Sequence, residues 1–123
     1  MDFKEVEEVV QNFFDADYAR DVSRLDTIFL EGSEFFGFDN NGRLIRKTGK
    51  EFVNGFRNTD SNHLDYPKYN EIISLDFASE NTAVVRTKMR VRNTMYSDIL
   101  CLMNIEGTWG IVAKIASGVP IEN

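Results

Sequence analysis

The chain has 123 residues, 42% of them hydrophobic and 12% aromatic, with ten phenylalanines; this predicts one globular domain, residues 1–123, and excludes a disordered chain. The net charge is −6, because residues 1–66 hold 14 acidic against 8 basic residues while residues 67–123 hold 6 of each. An acidic balance of this kind argues against a nucleic acid as the partner.

Two amphipathic helical patterns occupy the first 32 residues. Asp2 and Glu5 have the spacing of a capping box, and apolar residues then recur at helical spacing to about Tyr18. A second, shorter pattern starts at Asp21, and Gly32 is placed to end it. We therefore predict two consecutive helices.

A small hairpin and a third helix are predicted next. The hairpin spans residues 34–47, with its turn at Asp39-Asn40-Asn41-Gly42, because Asn and Gly tolerate positive φ. Thr48-Gly49-Lys50-Glu51 is a second capping box and predicts that a helix begins there. Residues 58–68 are polar and include Pro67, so they predict a loop.

Residues 69–116 predict four antiparallel strands joined by short turns. Alternation places one set of side chains on a shared face: Ile73, Leu75, Phe77, Ala83, Val85, Thr87, Met89, Val91, Leu100, Leu102, Trp109, Ile111, Ala113 and Ile115. With a turn at Thr94-Met95, Asp98 lies opposite Val91 on that same face. The preceding helices are expected to cover it, which predicts the α+β class with a curved antiparallel sheet.

Four parts of the chain carry a resemblance to a known superfamily. They are Val9-Val10-Gln11-Asn12-Phe13-Phe14, Phe38-Asp39-Asn40-Asn41-Gly42-Arg43-Leu44, Thr48-Gly49-Lys50-Glu51-Phe52, and Tyr96-Ser97-Asp98-Ile99-Leu100 with residues 105–114. With these segments the chain resembles the nuclear transport factor 2-like cone-fold superfamily, in its polyketide cyclase-like and "putative lumazine-binding" branches. The resemblance covers nearly the full chain. It implies that three N-terminal helices and the hairpin pack in the concave face of the sheet and enclose a pocket.

Large side chains from five elements are expected to converge on that pocket. They are Phe13, Phe14, Tyr18, Phe52, Phe56, Met89, Leu100, Leu102 and Trp109. The alternative is that they fill the core, since a domain of this size needs its large apolar residues for stability. Trp109 and Tyr18 are the better pocket candidates, because each carries a polar group that needs a partner or water.

Asp98 is the candidate catalytic or binding residue. A carboxyl group in so apolar a strand is costly unless it is paired or functional, and burial would raise its pKa. Two functional hypotheses stay open for it: small-molecule binding in an aromatic-lined pocket, or an acid–base enzyme of the dehydratase, cyclase or isomerase type that uses Asp98 and Tyr18. The alternative for Asp98 is an ion pair or a strand-end residue in water. Resemblance to the isomerases implies a first-helix Tyr and a second Asp, but this chain has Phe13 at the matching helix position and no carboxylate in residues 35–38.

The strand around residues 96–105 is apolar on both faces, which predicts that its outer face is covered by a second copy of the chain. This further alternative, a dimeric interaction module, would centre its interface on Cys101 and Met103. Alternating Arg86, Lys88, Arg90 and Arg92 form a basic row on the outer face, which predicts a solvated surface or a contact with an anion or an acidic partner.

No apolar run reaches the roughly 20 residues of a membrane span, and the first residues lack the basic and apolar regions of a signal peptide. We therefore expect a cytoplasmic protein without a membrane partner. One cysteine and one histidine cannot form a disulfide or a structural zinc site. The predicted partner is a small apolar or aromatic ligand, and no metal or cofactor is expected.

Overall fold

Three α-helices pack over a sheet in the computed structural model, which describes residues 2–122. They are α1 (Phe3–Ala19), α2 (Val22–Ile28) and α3 (Gly49–Asn54). The Asp2 side chain accepts hydrogen bonds from two backbone N–H groups at the start of α1, and Thr48 and Glu51 form a reciprocal capping box at the start of α3. The helices predicted from these capping sequences are therefore confirmed.

Within residues 2–122, six strands form one mixed sheet. They are β1 (Phe29–Phe38), β2 (Leu44–Thr48), β3 (Asn70–Ser79), β4 (Thr82–Val91), β5 (Thr94–Ile105) and β6 (Thr108–Pro120). Their order is β2-β1-β6-β5-β4-β3, and every neighbouring pair is antiparallel except β1 and β6, which are parallel. The predicted α+β class is confirmed, and the hairpin of β1 and β2 extends the sheet beyond β6.

The core lies between α1, α2 and the concave face of β4, β5 and β6. Its largest side chains with less than 2% exposure include Phe13, Phe14, Leu25, Leu100, Leu102 and Ile111. Burying each such side chain stabilises the fold by about 1.5–3 kcal/mol. Trp109 belongs to the same cluster, and its ring packs against that of Phe77 with the centroids 5.8 Å apart.

The register between β4 and β5 differs from the predicted one by four residues. The chain reverses at Arg92 and Asn93, where Arg92 has a φ of 53°, and Asp98 consequently pairs with Thr87 instead of Val91. A shift by an even number of residues keeps every side chain on its face of the sheet. Asp98 therefore lies on the concave face, with 2% of its surface exposed.

A β-bulge in β6 reverses the predicted orientation of the residues that follow it. Val112 is one extra residue relative to β5, so the alternation changes phase at this point. Lys114 is consequently buried on the concave face with 5% exposure. The predicted inward positions of Ala113 and Ile115 were wrong, because both residues follow the bulge and lie on the convex face.

Irregularities in β3 and β1 correct two further predictions. Ile73 is 40% exposed and Ile72 packs against the core instead, because the register with β4 shifts between Ile72 and Ser74. Gly32 does not end α2, which stops at Ile28. It lies inside β1 with a φ of 81°, where the register with β6 shifts.

Candidate functional site

A cavity of about 150 Å³ lies between the helices and the concave face of the sheet, and we call it the Asp98 cavity. Five ionisable residues line it: Asp17 and Arg20 at the end of α1, Tyr96 and Asp98 on β5, and Lys114 on β6. The other lining residues are Phe35, Phe52, Phe56, Met89, Val91 and Ala116. An acidic, a basic and an aromatic wall therefore meet in one small space.

Four of the predicted pocket residues line this cavity, namely Phe52, Phe56, Met89 and Asp98. Five others belong to the core and do not line it: Phe13, Phe14, Leu100, Leu102 and Trp109, none more than 8% exposed. Leu100, Leu102 and Trp109 lie farther along their strands, because the cavity is at the end of the sheet nearer the start of β5.

Tyr18 lies in a narrow crevice of about 10 Å³ beside the Asp98 cavity. Its hydroxyl donates a hydrogen bond to the backbone carbonyl of Tyr66 at 3.0 Å, and its ring packs edge-on against that of His63. The structure therefore does not place Tyr18 in the same cavity as Asp98. Tyr96, two residues before Asp98 on the same face of β5, is the tyrosine that lines it.

Asp98 and Lys114 form a buried ion pair in the wall of the cavity. The Lys114 Nζ lies 3.7 Å from the Asp98 Oδ2, which is close enough for an ion pair and too long for a hydrogen bond. Neither carboxyl oxygen of Asp98 has a hydrogen-bond partner among the described residues. The pair therefore retains unused capacity, with Asp98 able to accept hydrogen bonds and Lys114 able to donate them.

Three aromatic rings surround the ammonium group of Lys114. Its Nζ lies 4.4 Å from the ring centroid of Phe52, 5.2 Å from that of Phe13 and 5.4 Å from that of Phe35. The rings of Phe35 and Phe52 are themselves stacked, with centroids 4.6 Å apart. These cation–π contacts hold the charged end of Lys114 in place without using its hydrogen-bond donors.

Asp17 supplies a second carboxyl group to the same cavity and is only 4% exposed. Burial raises the pKa of Asp17, while the charges of Lys114 and Arg20 act in the opposite direction. Burial also raises the pKa of Asp98; Lys114 opposes that increase and the neighbouring charge of Asp17 adds to it. Both carboxyl groups are therefore more easily protonated than an exposed aspartate.

Sequence reasoning missed Asp17 and Lys114, for different reasons. Asp17 follows Val10, Phe13 and Phe14 at helical spacing, so its place on the buried face of α1 was readable from the helical period. Lys114 had no such signal. Simple alternation from Trp109 points its side chain outward, and only the bulge turns it inward.

Tyr96 is held over the backbone of β6. A Cβ atom at its neighbour Gly118 would lie 2.8 Å from the tyrosine ring, so the ring packs on a position that only glycine leaves open. Burial raises the pKa of Tyr96, and the charges of Asp98 and Asp17 raise it further. Its hydroxyl is therefore kept in the protonated, donating form beside the two acids.

The segment around residues 60–66 is tied to the end of β4 by part of the basic row. Arg92 forms an ion pair with Asp60 at 2.6 Å, and the guanidinium of Arg90 lies 5.5 Å from the ring centroid of Tyr66. Arg86 and Lys88 are exposed on the convex face. The row predicted from alternation is thus divided between two environments.

A wider groove of about 1030 Å³ runs between β1, β2 and the start of α3. Acidic and basic side chains line it, among them Glu31, Glu34, Arg46, Lys47 and Lys50. None of its ionisable lining residues is buried, so their chemistry is that of an ordinary solvated surface. The smaller Asp98 cavity is therefore the better candidate site.

Two features are absent from residues 2–122. No group of three or more His, Cys, Asp or Glu side chains in this part of the chain is arranged to hold a metal ion. No helix within the same residues is both long and apolar enough to cross a membrane.

The fold is that of nuclear transport factor 2-like proteins, so the resemblance to that superfamily noted in the sequence is confirmed. The model of the family described as "Putative lumazine-binding" matches residues 1–116, and the chain belongs to that family. No curated protein matches the chain.

Solved structures with the same fold come from several bacteria. A nuclear transport factor 2-like protein of unknown function from Shewanella baltica OS155 has a TM-score of 0.85 at 18% identity, covering 96% of this chain and 94% of its own. One from Silicibacter pomeroyi DSS-3 has a TM-score of 0.81 at 18% identity and 94% coverage of both chains. A ketosteroid isomerase-like protein from Erwinia carotovora atroseptica SCRI1043 has a TM-score of 0.71 at 12% identity, covering 94% and 95%. Identities this low support the fold alone.

Proposed function

We propose that the protein binds a small, flat organic molecule in the Asp98 cavity. The observation that carries this proposal is the state of Asp98, whose two carboxyl oxygens are buried in the cavity wall without a hydrogen-bond partner among the described residues. A buried polar group without partners costs about 1–3 kcal/mol, a cost that a ligand with hydrogen-bond donors would offset.

The aromatic wall and the size of the cavity favour a flat ring. Phe35, Phe52 and Phe56 line the cavity and contact one another, Phe35 stacked on Phe52 and Phe56 edge-on to Phe52, so a planar ligand would meet an aromatic wall. A cavity of about 150 Å³ has room for one benzene-sized ring. A second fused ring would extend toward Arg20, whose guanidinium lies 4.5 Å from the ring centroid of Phe56.

The family description makes lumazine, a flat two-ring compound with N–H and carbonyl groups, the first compound to test. We propose that it or a related pteridine-dione enters with one ring in the cavity and with its N–H groups directed at Asp98. Binding is measured from the changes in the backbone amide chemical shifts of Asp98 and Ala116 in nuclear magnetic resonance spectra.

A blocking variant provides the decisive control for this binding experiment. Ala116 lines the cavity and is 5% exposed, so Ala116→Leu should fill the space and abolish binding. Ser117, the next residue on β6, is exposed, so Ser117→Leu should leave affinity unchanged. Equal binding by wild type and Ala116→Leu would rule out the Asp98 cavity as the site.

An acid–base enzyme of the dehydratase, cyclase or isomerase type is the second candidate. It is favoured by two groups that line one cavity: Asp98, which as a carboxylate can accept the proton next to a carbonyl, and Tyr96, which can donate a hydrogen bond to the carbonyl oxygen in the role first considered for Tyr18. Such an enzyme should accelerate deuterium incorporation next to the carbonyl of cyclohexanone in D₂O. Exchange by Asp98→Asn at the wild-type rate would exclude catalysis by Asp98.

We also propose that the chain forms a homodimer through the convex face of the sheet. Four apolar side chains there are between 36% and 41% exposed, namely Val84, Ile99, Met103 and Ile115, and they surround the half-buried Cys101. Register pairs Val84 with Cys101 and Ile99 with Ile115, so these residues form one continuous patch across three strands. A second copy of the same patch would cover it across a two-fold axis.

A further inference from the structure

The Asp98 cavity offers a hydrogen-bond acceptor and a hydrogen-bond donor side by side. Asp98 Oδ2 and Lys114 Nζ are 3.7 Å apart, and neither uses the other as a hydrogen-bond partner. Asp98 is 2% exposed and Lys114 5% exposed, so water from outside reaches neither group freely. A ligand that fits must therefore satisfy both groups at once, since a half-satisfied buried pair is costly.

The charges around the cavity disfavour an ionic ligand. A carboxylate or phosphate would lie against Asp17 and Asp98, and a protonated amine would lie against Lys114 and Arg20. The chain itself already supplies cations to both acids, since Lys114 lies 3.7 Å from Asp98 and the charges of Lys114 and Arg20 both act on Asp17. A neutral ligand leaves this internal pairing intact, whereas an ion of either sign would compete with it.

We propose that the Asp98 cavity selects neutral rings in which an N–H group and a carbonyl are neighbours, as in cyclic ureides and lactams. The N–H donates a hydrogen bond to the Asp98 carboxylate, and the adjacent carbonyl accepts one from the Lys114 ammonium. The ring itself packs against Phe52, whose face also contacts the ammonium. This inference rests on the proposed binding function and adds the chemical class of the ligand.

Two fixed groups give this arrangement its selectivity. The rings of Phe13, Phe35 and Phe52 restrict the position of the Lys114 ammonium, and the pairing of β5 with β4 and β6 restricts Asp98. A ring with its N–H replaced by N–CH₃ keeps its shape but loses the donor. It would leave the carboxylate unpaired and place a methyl group against it.

Uracil and 1,3-dimethyluracil form the matched probe pair, with toluene as a neutral ring without polar groups and benzoate as an anion. Binding is followed through the amide shifts of Ala116 and Asp98, with Ala116→Leu as the blocked control. We expect uracil to bind at least about 10-fold more tightly than each of the other three, corresponding to one buried hydrogen bond. Lys114→Met should reduce the preference for uracil over toluene, because it removes the donor to the carbonyl.

Each other outcome has a distinct meaning. If 1,3-dimethyluracil or toluene binds as tightly as uracil and Ala116→Leu blocks both, the ligand class is wrong while the binding function stands. Tighter binding of benzoate than of uracil would overturn the requirement for neutrality. If none of the four probes shifts the cavity amides, the inference and the proposed function fail together.

Discussion

Lys114 Nζ lies 3.7 Å from Asp98 Oδ2, and the two side chains are only 6% and 1% exposed. The two residues lie on adjacent strands, and they meet only because the bulge at Val112 turns Lys114 toward the concave face. The structural ion pair that we set against a functional Asp98 is therefore present, but without the hydrogen bonds that normally complete a buried pair. A pair in this state can stabilise the fold and still receive a ligand.

Removing Lys114 should destabilise the protein strongly. Lys114→Met leaves Asp98 and Asp17 without their nearest cation, and loss of one partner of a buried pair typically costs about 3 kcal/mol or more. The double variant Asp98→Asn/Lys114→Met should recover part of this loss, because no buried carboxylate then remains at position 98. Urea unfolding of the wild type, both single variants and the double variant measures the coupling.

Lys68→Met is the matched control for Lys114→Met. It forms an ion pair with Asp15 in which both side chains are more than a third exposed. Lys68→Met should cost less than about 1 kcal/mol, as exposed pairs generally do. Equal losses from Lys68→Met and Lys114→Met would mean that burial does not set the value of the Asp98 pair.

Asp17 should make the protein less stable as the pH rises. Burial raises its pKa in the folded state above the reference value of 3.8, so the folded protein holds the proton more tightly than the unfolded chain. This contribution is complete below about pH 4 and is lost as the pH rises through the folded-state pKa. Asp17→Asn should flatten that part of the pH profile of the unfolding free energy.

Asp15, two residues earlier, should give a pH dependence of stability with the opposite sign. Its hydrogen bond from Lys68 lowers the pKa of Asp15, so its contribution is present above the reference pKa and is lost on acidification. Asp15→Asn should therefore remove a loss of stability at low pH, measured in the same denaturant titrations. Identical profiles for the two asparagine variants would contradict the assignment of Asp17 as the buried acid.

Trp109 should report on the core and not on the ligand. It is 8% exposed and packs against Phe77, so Trp109→Ala should cost about 3–5 kcal/mol and the wild-type fluorescence should resist acrylamide. Because Trp109 does not line the Asp98 cavity, planar ligands should change its emission little. A tryptophan introduced by Phe56→Trp in a Trp109→Phe background should respond to them directly.

Ile99→Glu should separate the proposed dimer into monomers. Ile99 is 38% exposed at the centre of the convex patch, where a carboxylate would be buried against its symmetry mate. Leu44→Glu is the control, because Leu44 is 69% exposed on β2 at the far edge of the sheet. Sedimentation velocity at micromolar concentration should show dimers for wild type and Leu44→Glu; a monomeric wild type would end the proposal.

Much of the fold could be predicted from local sequence patterns. The capping sequences at Asp2 and Thr48 lie where α1 and α3 begin, since a cap acts on the N–H groups of its own first turn. Alternation placed Asp98 on the concave face even with a wrong register, because the period of a strand survives an even shift. The parallel pairing of β1 with β6 had no local signal, since it joins residues about 80 positions apart.

The sequence by itself determined the fold class, the helix starts, the face on which Asp98 lies and the family to which the chain belongs. Only the tertiary structure decided which groups share the cavity with Asp98. The bulge at Val112 turns Lys114 into the cavity, whereas Tyr18 lies in the neighbouring crevice. Periodicity describes a regular strand, whereas a bulge is set by how two neighbouring strands pair, and that pairing is a property of the folded sheet.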